Sequence, residues 1–254
     1  MSAQLQPPDS SQDDEKNLTI LEHLQELRRR LMICGAAIFV GLIVSFYPLT
    51  QWFIAWLKKP AGDDFTLIFT EPLGLWTTFF QVSLQLAIAI SMPVLVWQVL
   101  AFVGPGLTRN EKRWAYPIVF GASAMFLAGC AFAYYVEMPP ALNFLFNAPG
   151  DLAEPFITFK SYVSFATRLM MVTGLVFETP LLVMGLAKVG VVHSRKLLSW
   201  WRFAIVGAFI VSAIVTPSID PVTQTLVAGP MIVLYFVGIG LAKLVEGNPL
   251  IPKA

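Results

Sequence analysis

The chain has 254 residues, of which 56% are hydrophobic and only 13% are charged, with a mean hydropathy of +0.68. Soluble domains carry about 25% charged residues, so this composition excludes an ordinary soluble domain and indicates a membrane protein with several spans. The net charge of +1 supplies no basic field of the kind that binds nucleic acid.

The predicted elements are six apolar runs, each judged against the ~20 residues that a helix needs to cross a bilayer. They cover residues 30–49, 73–94, 113–136, 161–186, 202–216 and 222–242. The first is interpreted as an uncleaved span rather than a signal peptide, because a long polar segment precedes it and no cleavage site follows. The last two are short, and a helix over residues 202–216 would rise only about 22 Å.

The predicted fold class is therefore an all-α integral membrane protein with six transmembrane helices, the last two short. A polar and acidic segment, residues 1–17, precedes them and is predicted to be disordered. We expect the transmembrane domain to cover residues 18–246 and a C-terminal tail to cover 247–254.

Lysine and arginine predict the orientation, because they are enriched in cytoplasmic connections. Of the 17 such residues, 13 lie before the first run, after the second, after the fourth or at the C-terminus. The opposite side has three: Lys58, Lys59 and Lys160. Both termini are predicted to be cytoplasmic. Connections 50–72 and 137–160, rich in proline and aromatic residues, fit either interfacial helices that form a periplasmic cap or ordinary loops.

No enzymatic activity, cofactor or metal site is expected. The chain has no GxxxxGK[ST], HExxH or GxSxG motif. Its two histidines, His23 and His193, have no metal-ligand partner at suitable spacing. Its two cysteines, Cys34 and Cys130, lie inside apolar runs and are interpreted as packed thiols rather than a disulfide.

Glu26 is the first candidate functional residue, because orientation requires arginines at this point but no acid. It lies in the stretch HLQELRRRL, residues 23–31, just before the first apolar run. Spacing alone favours an intrahelical ion pair with Arg30, worth about 0.3–0.5 kcal/mol. The alternative is an acceptor for a basic ligand at the membrane surface.

Glu111 and Glu178 are two further candidates. Glu111 is expected in the first turn of the third helix, where an acid is favourable on structural grounds alone, and on the same side of the membrane as Glu26. Glu178 lies within the fourth run, where a charged residue costs about 2.5–3.5 kcal/mol to insert. An acid there usually marks a cavity, a proton path or a polar contact between helices, and Pro180 is expected to disturb the helix beside it.

Four stretches of the chain resemble the TatC family of the twin-arginine protein translocase. They are HLQELRRRL (23–31), PVLVWQVLAFVGPGLTRNEKR (93–113), GLVFETP (174–180) and TPSIDPVTQTLVAGPM (216–231). Their order and the six apolar runs extend the resemblance over nearly the whole chain.

The resemblance implies a receptor for twin-arginine signal peptides on folded cargo, in a transport pathway that is driven by the proton-motive force. It implies a signal-peptide site formed by Glu26, Glu111, Phe102 and Arg28, and a role for Glu178 in polar contact with partner helices. The implied partners are TatA and TatB type single-span subunits, membrane lipid and further copies of the chain. The planar guanidinium group makes two-point bonds to carboxylates, which suits two acids facing two arginines.

Two other functions remain open from the residues alone. Glu178 beside a proline would also suit a proton-coupled solute transporter. A membrane scaffold without a ligand of its own would need neither Glu26 nor Glu111.

Overall fold

The computed structural model describes the backbone of residues 11–61, 68, 71–103, 109–147, 158–188, 190–216 and 221–246. Side chains are described for these residues except 11–21, 23, 61, 103, 109–118 and 145–147. The helices are α1 (Ser11–Ser45), α2 (Pro48–Leu57), α3 (Gly74–Val103), α4 (Arg109–Phe132), α5 (Met138–Asn147), α6 (Phe159–Phe177), α7 (Thr179–Lys188), α8 (Ser194–Ser199), α9 (Trp201–Val215) and α10 (Pro221–Glu246). A 3-10 turn, Lys59–Ala61, follows α2, and a π-helical turn, Ala133–Glu137, joins α4 to α5.

The all-α membrane fold is confirmed, with helices at every predicted apolar run. Within the described residues, four helical stretches are long and apolar enough to span a membrane: Gly74–Phe102, Val119–Phe144, Phe159–Lys188 and Pro221–Glu246. The pair α1 and α2 passes the same test together but bends by 75°. Helix α9 has 15 residues and is too short for it. Six spans therefore remain a prediction.

Two helices extend beyond the predicted apolar runs. Helix α1 begins at Ser11, and Asp13, Asp14 and Glu15 near its start suit the positive end of the helix dipole. Helix α10 has 26 residues, so of the last two helices only α9 is short. The final turn of α10 contains Lys243 and Glu246, which are good helix formers although they fall outside an apolar run.

Helices α1 and α3 pack as an antiparallel pair with a regular register. The Ser45 hydroxyl donates to the carbonyl of Ser83 at 2.9 Å, and the Ser91 hydroxyl donates to the carbonyl of Ala37 at 2.9 Å. Between these two contacts, a Cβ placed on Gly41 would lie 2.8 Å from the carbonyl oxygen of Ala87. Small and hydroxyl side chains thus let the two backbones approach closely, as is typical of membrane helices.

The bend between α1 and α2 is held by a buried hydroxyl cluster. The hydroxyls of Thr50 and Ser83 are 2.9 Å apart, and Thr50 also donates to the carbonyl of Ser45 at 2.7 Å. Two tyrosines tie the end of α2 to the bundle: Tyr134 donates to the carbonyl of Trp56 at 3.1 Å, and Tyr162 to that of Leu57 at 2.8 Å. Helix α2 has the position of the predicted cap, whose location relative to a membrane remains a prediction.

The centre of the bundle is the contact between α4 and α6, where two glycines face one another. A Cβ on Gly129 would come within 2.8 Å of the Gly174 Cα atom and 2.8 Å of the Phe177 ring. The apolar core continues from this contact toward α2 through buried residues such as Leu57, Met138, Val163 and Leu169.

Helix α10 packs along α7, with Gly238 against Pro180, and its last residue holds the short helix α8. The Glu246 carboxylate accepts from the Ser194 backbone N–H at 2.7 Å and from the Ser194 hydroxyl. The Tyr235 hydroxyl donates to the Leu197 carbonyl at 2.7 Å. The connection between α7 and α9 is thereby fixed to the end of α10.

Candidate binding site on helix α1

Glu26 lies half-buried on α1 and pairs with Arg30, one turn further along. Arg30 donates to Glu26 Oε1 through Nε at 3.1 Å and also through Nη2. Its remaining nitrogen, Nη1, donates to Gln98 Oε1 on α3 at 3.2 Å. The intrahelical pair expected from spacing is therefore present. Arg30 does more than orient the chain, since it links Glu26 to a second helix through a glutamine that the sequence did not single out.

The register of α1 against α3 places Phe102 opposite Glu26. Ser45 contacts Ser83, Gly41 faces Ala87, Ala37 accepts from Ser91, and Arg30 donates to Gln98. Each step along α1 is matched by an equal step back along α3. Continuing the series by one turn beyond Arg30 and Gln98 brings residue 26 level with residue 102. Phe102 is half-buried in the last turn of α3, so a carboxylate and an aromatic ring occur at one level.

Arg28 is exposed on α1. Residues two apart on a helix do not face each other, so Arg28 points away from the side of α1 that carries Glu26. The geometry therefore brings together Glu26, Arg30, Gln98 and Phe102, whereas Arg28 stands apart from them. Its assignment to a signal-peptide site stays a prediction.

Glu111 lies in the first turn of α4, as predicted, because this helix begins at Arg109. An acid in a first turn is stabilised by the positive end of the helix dipole. The Glu111 side chain and residues 104–108 lie outside the described part of the chain. The pairing of Glu111 with Glu26 remains a prediction.

Glu178 occupies the one-residue interruption between α6 and α7, and its side chain is only 4% exposed. Its N–H donates to the Leu175 carbonyl at 3.2 Å, three residues back rather than four. Proline at position 180 provides no N–H for the Val176 carbonyl, which accounts for a break here. The carboxyl atom Oε1 has no hydrogen-bond partner among the described residues. Arg168 is exposed and forms no ion pair within that part of the chain.

Glu137 is a second buried acid, and it was not predicted. It is 1% exposed, and its Oε2 accepts a 2.8 Å hydrogen bond from Thr173 on α6, while Oε1 has no partner among the described groups. Residues 137–160, which include Pro139 and Pro140, were interpreted as the connection that follows the third run. Proline is tolerated in the first turn of a helix, so a π-helical turn passes directly into α5 and Glu137 stays inside the bundle. Such turns often occur at functional sites.

A family model described as Sec-independent protein translocase protein (TatC) matches residues 22–230. The chain belongs to the TatC family. It is 40% identical over 227 residues to the Sec-independent protein translocase protein TatC of Helicobacter pylori J99, covering 89% of this chain and 90% of that one. It is 39% identical over 238 residues to the TatC protein of Synechocystis, covering 91% and 90%.

Chloroplast relatives and a solved structure agree with this assignment. The chloroplastic TATC protein of Arabidopsis thaliana is 38% identical over 256 residues, covering 94% of this chain and 75% of that protein. A crystal structure of the twin-arginine translocase receptor TatC superposes with a TM-score of 0.80 at 33% identity, covering 88% of this chain and 99% of the other.

Membership of the TatC family makes this chain a multi-span subunit of a Sec-independent protein translocase, and hence a component of a protein complex. The prediction that it is not an enzyme is confirmed, because TatC proteins are transport components without catalytic activity. The family assigns the chain to protein transport rather than to solute transport, which was the main alternative.

Proposed function

We propose that the chain binds the twin-arginine signal peptides of folded cargo at the surface formed by Glu26, Phe102 and Glu111. The observation that carries this proposal is the half-buried carboxylate of Glu26, which the helix register sets level with the Phe102 ring. A guanidinium group bound there would have a carboxylate to pair with and an aromatic ring to stack on. Arg28, exposed nearby on α1, is proposed to border this surface rather than to contact the ligand.

The ion pair within α1 leaves room for such a ligand. Both bonds from Arg30 end on Oε1 of Glu26, and a carboxylate has acceptor positions on both oxygens. Oε2 is therefore the atom proposed to receive a ligand arginine. Arg30 is held from its other side by Gln98, so the pair keeps Glu26 oriented before the peptide arrives.

The test uses the full-length chain in membranes and a twin-arginine peptide with a photoreactive group next to its arginines. Glu26→Ala and Glu111→Ala should each reduce crosslinking about tenfold or more, because a hydrogen bond to a charged group contributes about 1.5–3 kcal/mol. A peptide with two lysines should also crosslink less, since an ammonium group cannot make two-point bonds.

Glu22→Ala is the matched control, because Glu22 is an exposed acid one turn before Glu26 on the same helix. It should crosslink as the wild type does. Unchanged crosslinking for both Glu26→Ala and Glu111→Ala would refute the site. An equal loss for Glu22→Ala would show that only general negative charge matters.

We further propose that Glu178 makes polar contact with TatA and TatB type partner helices. This rests on the buried carboxyl atom without a described partner, at a break in the backbone of α6 and α7. Glu178→Ala should leave peptide crosslinking intact while it reduces co-purification of the single-span partners. The reverse pattern, with binding of the peptide lost and the partners retained, would contradict it.

The proposed location is the bacterial cytoplasmic membrane with both termini cytoplasmic. The support is the lysine and arginine distribution. Labelling of single cysteines introduced at positions 59 and 195 by a membrane-impermeant maleimide in intact cells tests it. Position 59 should react and position 195 should not.

A further inference from the structure

An apolar cavity of about 390 Å³ lies under helix α2, between α3, α4 and α6. Trp52 and Trp56 of α2 form its roof, and Met170 of α6 lies at its inner side. Leu127 of α4 and Tyr135 of the π-helical turn lie at its edge and are 63% and 67% exposed. In a chain that spans a membrane, such an edge faces lipid, so the cavity opens sideways into the bilayer.

The size of the cavity decides between two kinds of apolar occupant. A transmembrane helix is about 10 Å across, and a cylinder of that width would fill this volume within about one turn. A single flexible chain fits the space much better, and volumes of about 300–1,000 Å³ are usual for small-molecule sites. The cavity therefore favours a lipid tail over a partner helix.

Charge and aromatic residues at the mouth indicate where the lipid head would lie. Trp52, Trp56 and Tyr135 belong to the residue types that collect at the boundary between headgroups and acyl chains. Lys59 begins the 3-10 turn that follows α2, three residues after Trp56, so it lies within a turn of the roof of the cavity. It is exposed, and neither it nor Lys58 forms an ion pair with any residue that the structure describes.

Lys58 is engaged differently from its neighbour. Its ammonium nitrogen lies over the Phe159 ring, 5.3 Å from the ring centre. Lys59 is thus a cation close to the roof of the cavity that is available for a phosphate group. We propose that this cavity holds one acyl chain of an anionic phospholipid whose phosphate group is bound by Lys59.

Tryptophan fluorescence provides the test, because two of the roof residues are tryptophans. The full chain is reconstituted in phosphatidylcholine bilayers that contain a small, fixed fraction of either phosphatidylglycerol or phosphatidylcholine with brominated acyl chains. Bromine quenches tryptophans that it touches. One lysine near anionic lipid should enrich phosphatidylglycerol about fivefold at this site, so brominated phosphatidylglycerol should quench more than brominated phosphatidylcholine.

Two variants and a matched control connect the excess quenching to the site. Ala131→Phe fills the mouth of the cavity and should abolish the excess, and Lys59→Gln should bring the two lipids to equal quenching. Ala128→Phe is the control, since Ala128 is exposed on the same helix and does not line the cavity. It should keep the excess.

Three results would overturn the proposal. They are equal quenching by the two lipids in the wild type, an excess that survives Ala131→Phe, and displacement of the brominated lipid by a twin-arginine peptide. The last result would assign the cavity to the peptide. None of them depends on whether Glu26 and Glu111 bind the peptide arginines.

Discussion

Replacing Gly129 by alanine tests whether α4 and α6 are held together by backbone contact. The added Cβ would lie 2.8 Å from the Gly174 Cα atom, 2.8 Å from Phe177 Cγ and 2.9 Å from Phe177 Cβ. Two of these atoms are Cα and Cβ, which do not move unless the helix moves. We therefore expect the helices to separate locally, at a cost typical of overpacking, about 1–3 kcal/mol.

Alanine also stabilises a helix relative to glycine, by up to about 1 kcal/mol. A matched control therefore has to measure this gain in helix stability. Gly240 in α10 serves, because a Cβ there meets nothing within 4 Å. Gly240→Ala should melt at or slightly above the wild-type temperature. Gly129→Ala should melt about 2–12 °C below Gly240→Ala, since 1 kcal/mol shifts the melting temperature of a chain of about this size by ~2–4 °C.

Gly174→Ala provides a graded comparison within the same contact. Its Cβ would meet the Phe126 ring at 2.8 Å and the Cys130 sulfur at 3.0 Å, which are outer atoms of side chains rather than backbone. The buried Phe126 ring must shift within the core, but the two helices need not separate, so the loss should be smaller than for Gly129→Ala. The measurement is thermal unfolding of the three variants in the same detergent. Equal melting temperatures for Gly129→Ala and Gly240→Ala would refute the reasoning.

Two further predictions concern buried or capping carboxylates. Thr173→Val keeps the side-chain shape but removes the hydroxyl that donates to Glu137. Because the buried acid then lacks this donor, the free energy of unfolding should fall by about 1–3 kcal/mol. Adding Glu137→Leu to Thr173→Val should restore part of that loss in the same thermal assay, and no recovery would show that the acid has other partners. Ser194→Ala removes one of the two bonds from residue 194 to Glu246, so amides of α8 should exchange hydrogen about fivefold faster. Ser199→Ala is the control, because the Ser199 hydroxyl bonds within α8. Equal exchange rates in the two variants would show that the bond from the Ser194 hydroxyl to Glu246 does not stabilise α8.

The apolar runs predicted the helices well, because a segment in lipid must satisfy its own backbone and therefore forms helix wherever the sequence is apolar. They failed where polar residues continue a helix. Lys243 and Glu246 extend α10, and Glu137 lies inside the bundle although Pro139 follows it closely. A window of hydropathy cannot distinguish a polar residue that ends a span from one that finds a partner inside it.

The sequence allowed the candidate residues to be named one by one, but not their arrangement. Glu26 was identified because orientation did not need it, and its pairing with Arg30 followed from helical spacing. The contact of Arg30 with Gln98, and the level shared by Glu26 and Phe102, depend on the register between two helices far apart in the sequence. That register is set by Gly41, Ser45 and Ser91, whose small size is apparent in the sequence but whose partners on the facing helix are not.

The matched register of α1 and α3 also limits how these helices can respond to a ligand. To slide past each other by one turn, they would have to break the hydrogen bonds of Ser45, Ser91 and Arg30 together and pull Gly41 away from Ala87. Tilting the two as one rigid unit breaks none of these contacts. A ligand at Glu26 that moves these helices is therefore expected to tilt them together rather than to slide one along the other.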